Sequence, residues 1–100
     1  MNEYILLMHD DVVDRAKSND GENWGKYFAA LRNTGHFDGG SSIGSGESLK
    51  KGQIPSATVS QIGGFIRVRA ESLEAAKTFL RDNPVYEGGG TVEVRELPKD

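Results

Sequence analysis

The chain has 100 residues, 36% of them hydrophobic and 27% charged, with 13 glycines and no cysteine. This length holds one core and would leave two domains too small, so residues 1–100 are expected to form a single domain. The missing cysteine removes disulfides, thiolate nucleophiles, iron–sulfur clusters and cysteine-based zinc sites together. Twelve Lys and Arg against fifteen Asp and Glu give a net charge of −3, with no basic stripe of the kind nucleic acid requires.

The first segment, Tyr4-Ile5-Leu6-Leu7-Met8, is apolar at every position rather than at alternate ones. That pattern fits a strand covered on both faces. Helices can cover one face in so small a domain, which points to a second subunit over the other and hence to a homodimer. No apolar run in the chain is longer than these five residues, far too short to cross a membrane. Met1-Asn2-Glu3 lacks the basic start of a signal peptide, so a cytoplasmic location is expected.

Residues 9–23 are polar and acidic and read as a connection. Asn19 with Glu22 has the spacing of a capping box. Trp24, Tyr27, Phe28 and Leu31 then fall at i, i+3, i+4 and i+7, which predicts a helix over 20–34 closed by Gly35. A short strand is expected near 36–43 and a mobile loop over 44–57. Ile62 to Arg69 alternates as a second long strand: Ile62, Ile66 and Val68 face one way, Phe65, Arg67 and Arg69 the other. Gly63-Gly64 inside it signals a bulge or a close backbone approach.

Ser72 caps a second helix, Leu73 to Arg81, with Leu73, Ala76 and Leu80 as its buried line. Asp82-Asn83-Pro84 stops it, since proline disfavours helical geometry in the residue before it. Gly88-Gly89-Gly90 is a turn. Thr91 to Leu97 is a last strand, Val92 and Val94 inward and Glu93 and Arg95 outward. The order β-α-β-β-α-β is that of an α+β, ferredoxin-like sandwich.

Several of these segments together resemble the YCII-related (YciI-like) family. They are Glu3 to His9, Leu31-Arg32-Asn33-Thr34-Gly35 with Asp38-Gly39-Gly40, Ile62-Gly63-Gly64-Phe65, Ser72 to Ala76, Asn83-Pro84-Val85-Tyr86, and Gly89 to Arg95. The resemblance implies a ferredoxin-like subunit pairing through its sheet into a dimeric α/β barrel. It also implies kinship with a few enzymes acting on small aromatic or lactone-like compounds, with a histidine–aspartate pair as the catalytic centre. The stretch Ile54 to Gln61 lacks the Asp-Gly-Pro-Phe motif of one branch, and Trp24 stands where another branch carries a histidine.

Two histidines could carry proton transfer. His36 and Asp38 are two apart, on one face if extended, so His36 would move the proton and Asp38 orient it. His9 ends the first strand, but Asp10 beside it points to the opposite face and is a poor partner. Trp24 and Tyr27 sit at core spacing yet keep polar handles that could line a pocket. Arg67 could hold a ligand carboxylate or pair with Glu93 across strands. Tyr86, after the helix stop, is a further pocket candidate.

No metal site is expected, since neither histidine sits in a recognised ligand spacing such as His-x-x-x-His. The Gly39–Gly46 stretch lacks the Gly-Lys-Ser/Thr of a phosphate loop, and no cofactor is expected. Two functional readings remain. One is a small-molecule-binding protein or cofactor-independent enzyme doing isomerase- or lyase-type proton transfer on a small cyclic acid or phenol. The other is a non-catalytic dimeric regulatory or interaction module.

Overall fold

A computed structural model describes residues 1–54 and 61–99. Its centre is a four-stranded antiparallel sheet of order β2-β3-β1-β4, built from β1 (Asn2–His9), β2 (Phe37–Ser42), β3 (Ile62–Ala70) and β4 (Val92–Leu97). With its helices this is the ferredoxin-like α+β fold expected from the element order.

The doubly apolar first strand occupies an inner position, between β3 and β4. Tyr4, Leu6 and Met8 are buried, whereas Ile5 and Leu7, pointing the other way, are half-buried. On β3 the buried set is Ile66, Val68 and Ala70, and Phe65 and Arg67 stand opposite. Leu6, Ile66 and Val68 are almost wholly shielded from solvent, each contributing roughly 1.5–3 kcal/mol through burial.

The principal helix, with a short helix α1 (Arg15–Ser18) ahead of it, is α2 (Gly21–Thr34). Its cap is Asp20, whose carboxylate accepts the Glu22 N–H at 2.9 Å, and not Asn19. Asn19 is engaged at the end of α1, donating its N–H to the Arg15 carbonyl, which displaces the start of α2 by one residue. Gly35 closes α2 at φ 75°, the left-handed geometry expected of it. Tyr27 and Leu31 face the core.

The second helical segment is more broken than the periodicity suggests. It comprises α3 (Leu73–Lys77), capped by Ser72 as expected, and a 3₁₀ turn over Thr78–Leu80. Ala76 and Leu80 are buried, but Leu73, the first residue after the cap, is 45% exposed and leaves the expected buried line. Asp82-Asn83-Pro84 ends one helix and starts another. Asn83 is fully buried, and its Oδ1 accepts the N–H groups of Val85 at 3.0 Å and Tyr86 at 3.1 Å. Pro84, which has no N–H to satisfy, opens the short helix α4 (Pro84–Glu87).

The glycine pair in β3 fulfils both of its expectations. Against β1 the register passes from Met8–Gly64 to His9–Ile62, so Gly63 is the extra residue of a bulge. A Cβ on Gly64 would lie 3.1 Å from Met8 Cε and 3.2 Å from the Ser41 carbonyl oxygen, so the strands approach closely there and a larger residue would crowd them. In the connection after β2, Lys50 and Gln53 form an isolated bridge. The remainder of the expected loop, and most of the Ile54–Gln61 stretch, lies outside the described residues.

Candidate active site

The bulge opens one end of the sheet, and a cavity of about 540 Å³ forms between that end and α2. Its aromatic walls are Trp24 and Phe28 from α2 and Phe37 from β2, and β3 borders it at Gly63, Gly64 and Phe65. Trp24 and Phe28 stack at 5.6 Å between centroids with 24° between planes, and Phe28 meets Phe37 at 5.6 Å. Met8, Val12 and Val85 add aliphatic surface, and Gly40, Ser41, Ser42, Gly63 and Gly64 contribute small residues. Such a site suits a planar ring, since faces of π-systems pack against one another and the glycines leave room.

Residues Trp24, Phe28 and Arg32 fall at i, i+4 and i+8, so α2 presents this line to the cavity beside its core-facing Tyr27 and Leu31. Trp24 is anchored by its indole N–H, which donates to the Ser18 carbonyl at 2.6 Å. Arg32 sits over Phe28, its guanidinium carbon 6.0 Å from the ring centroid.

Charged or titratable residues lining the cavity are His9, Asp10, Arg15 and Arg32; His9 ends β1 with its imidazole on the open sheet face. Leu7 lies opposite Glu93 across the β1–β4 ladder. Two residues on, His9 returns to that same face and reaches Glu93 diagonally. The His9 Nε2–Glu93 Oε1 distance is 2.9 Å, and the His9 side chain is only 12% exposed. Glu93 Oε2 accepts from Arg95 Nε at 2.7 Å. These two contacts, Arg95 first and His9 second, hold the Glu93 carboxyl below its ordinary pKa. A carboxylate kept ionised against an imidazole fixes the orientation of the ring.

Adjacent contacts brace this end of the sheet. Asp10 turns away from His9 and pairs with Arg15 at 3.1 Å. Asp11 accepts the Thr91 N–H at 2.8 Å and the Thr91 hydroxyl at 2.6 Å, and these bonds lower its pKa. The segment after β1 is thereby tied to the turn before β4.

The structure does not bring the other predicted residues into this cavity. His36 precedes β2 and lies edge-on to Phe79 at 6.2 Å. Asp38 accepts both a 2.9 Å and a 3.1 Å bond from Arg69 Nε, and Arg69 also donates to the Gly35 carbonyl. The expected His36–Asp38 unit is therefore divided between an aromatic contact and an ion pair that fastens the α2–β2 turn. Arg67 pairs with Glu3 at 3.5 Å on the open sheet face, not with Glu93, because β1 separates β3 from β4. Tyr27 is buried, and its hydroxyl donates to the Phe79 carbonyl at 2.8 Å, burial raising its pKa. Tyr86 is 49% exposed on α4. Of the residues singled out in the sequence, His9 and Trp24 line the cavity. Among the described residues, no group of three or more His, Cys, Asp or Glu could hold a metal.

The sequence matches the YCII-related domain over residues 3–98. A solved structure of similar fold is the 5-chloro-2-hydroxyhydroquinone dehydrochlorinase TftG from Burkholderia phenoliruptrix AC1100, in complex with 2,5-dihydroxybenzoquinone. The two chains are 16% identical, with a TM-score of 0.59 over 100% of this chain and 96% of that one. No curated protein matches the sequence.

Proposed function

The chain belongs to the YCII-related family, and from that premise we propose that it is a cofactor-independent enzyme of proton transfer on a small oxygenated ring. The carrying observation is that β1, whose end lines the aromatic-walled cavity, carries there a histidine paired with a carboxylate. The dehydrochlorinase of similar fold acts on a hydroxylated ring, which supports a phenol or quinol as the substrate class.

The reaction is keto–enol exchange. His9 takes the proton of a ring hydroxyl, the oxygen becomes a carbonyl, and a proton is returned to a ring carbon. No electrons are gained or lost. Glu93 acts through His9 as a positioning residue, holding the imidazole and stabilising it while it carries the extra proton. Trp24 and Phe28 hold the ring plane. The loss of a leaving group from the keto form, as in an elimination, is open to the same machinery.

The test is solvent deuterium entry into the ring carbons of 2-hydroxyhydroquinone, followed by NMR with oxygen excluded. General acid–base catalysis contributes on the order of 10²–10⁴-fold, so His9→Gln should lower the exchange by that order while retaining the fold. Equal exchange in wild type and His9→Gln would remove His9 from the chemistry.

Pairing of two copies through the open sheet face is part of the same reading. Ile5, Leu7, Phe65 and Leu97 are half-buried there, among Glu3, Arg67, Glu93 and Arg95. An apolar strip flanked by both charge signs suits a two-fold contact in which acids of one copy meet bases of the other. Light scattering should give a dimer mass for the wild type and a monomer mass for Leu7→Glu; a monomeric wild type would refute the pairing.

A further inference from the structure

Three basic residues line the cavity, and their partners differ. His9 faces Glu93 at 2.9 Å, and Arg15 faces Asp10 at 3.1 Å. Arg32 has no carboxylate within ion-pair distance among the described residues. Its guanidinium lies instead over the Phe28 ring, at the end of the line Trp24, Phe28, Arg32.

A cation–π contact at 6.0 Å leaves the guanidinium N–H groups free of a carboxylate, and such a fork can receive two oxygens of one anionic group. A ring lodged against Trp24 and Phe28 would lie beside that fork. The acid that lines the cavity, Asp10, is already paired with Arg15, so Arg32 supplies unbalanced positive charge.

We propose that Arg32 is a specificity-determining residue which selects ring ligands bearing an oxyanion, either a carboxylate or an ionised ring oxygen, over their neutral counterparts. The inference rests on the reading of this cavity as the small-molecule site, and it adds the charge class of the ligand. A position in the last turn of α2 also suits an arginine for its favourable interaction with the helix C-terminus. That role predicts an effect on stability alone.

Calorimetric titration of the full chain with three probes separates the possibilities: 2,5-dihydroxybenzoate, 2,5-dihydroxybenzoquinone in its ionised form, and neutral 2,5-dihydroxybenzamide. The wild type should bind at least one anion tenfold or more tightly than the amide, with the preference shrinking as salt is raised. Preference for the benzoate assigns the oxyanion to a carboxylate, and preference for the quinone to a ring oxygen. Arg32→Gln should lose the tenfold preference while binding the amide within twofold of wild type, and Arg32→Lys should restore only part of it.

Equal weakening of anion and amide in Arg32→Gln, or unchanged binding of both, would overturn the role of Arg32 and leave the cavity reading intact. A wild type that binds the amide without preferring either anion would do the same. Failure of all three probes to bind the wild type would overturn the cavity reading and this inference together.

Discussion

Replacement of Asn83 by alanine tests how α4 is held against the sheet. Asn83 is fully buried, and its carbonyl oxygen satisfies the N–H groups of Val85 and Tyr86 at 3.0 and 3.1 Å. Its amide N–H is directed at the Met8 sulfur, 3.6 Å away. Alanine offers no acceptor, so the buried Val85 N–H at the helix start loses its partner. An unmade buried hydrogen bond costs about 1–3 kcal/mol, and a lost cap typically about 1 kcal/mol. The two costs overlap in part, and the space vacated beside Met8 adds to them. A total of about 2–4 kcal/mol follows, which for a domain of this size lowers the melting temperature by roughly 10 °C or more. Urea denaturation followed by circular dichroism measures the loss. Asn83→Ser, which retains a short side-chain acceptor, should recover part of it. A loss below about 0.5 kcal/mol for Asn83→Ala would refute the assignment of Asn83 as the buried cap.

Two glycine substitutions should act in opposite directions. A Cβ on Gly40 would collide with the backbone carbonyl oxygen of Phe65 and lie 3.0 Å from Ile66 Cα, so Gly40→Ala should destabilise by roughly 1–3 kcal/mol as β2 is displaced from β3. Gly25 lies exposed within α2 with nothing within 4 Å of a new Cβ, so Gly25→Ala should stabilise by about 0.5–1 kcal/mol; both are read from urea midpoints. The native state holds the Glu93 carboxyl below its ordinary pKa, so it binds fewer protons than the unfolded chain there. That contribution is complete above the ordinary carboxylate range and is lost as pH falls through the depressed value. Glu93→Gln should therefore show a shallower acid loss of stability than wild type across the acidic range, and coincident pH profiles would contradict the prediction.

The architecture was legible because short periodicities carried it. Tyr4 to Met8 announced a strand apolar on both faces, the stripe Trp24, Tyr27, Phe28 and Leu31 announced α2, and Gly63-Gly64 announced the bulge. The shift from Asn19 to Asp20 was not legible, because both residue types cap helices and the choice depends on α1 taking up Asn19. Neither was α4, since Asn83-Pro84 reads equally as the end of one helix and the beginning of another. Among the site residues, His9 was visible as a polar strand end, but its carboxylate was not. Glu93 lies 84 residues away, and only the β1–β4 register brings it to the same face. His36 and Asp38, although two apart, are drawn to Phe79 and Arg69 by the packing of the α2–β2 turn. Arg32 follows Phe28 at i+4, a spacing that could have marked it, but an arginine in the last turn of a helix reads first as solvent-facing.

The central claim is that the space beneath α2 holds a ring-shaped ligand, and the chain carries its own reporter. Trp24 is the sole tryptophan and forms part of the cavity wall. Its fluorescence should be quenched by 2,5-dihydroxybenzoquinone along a saturating curve, one ligand per chain, after correction for absorbance. Non-fluorescent competitors that occupy the same site should restore the emission, and His9→Gln should shift the curve. Quenching that rises linearly without saturation, matches free tryptophan and ignores competitor would contradict the claim.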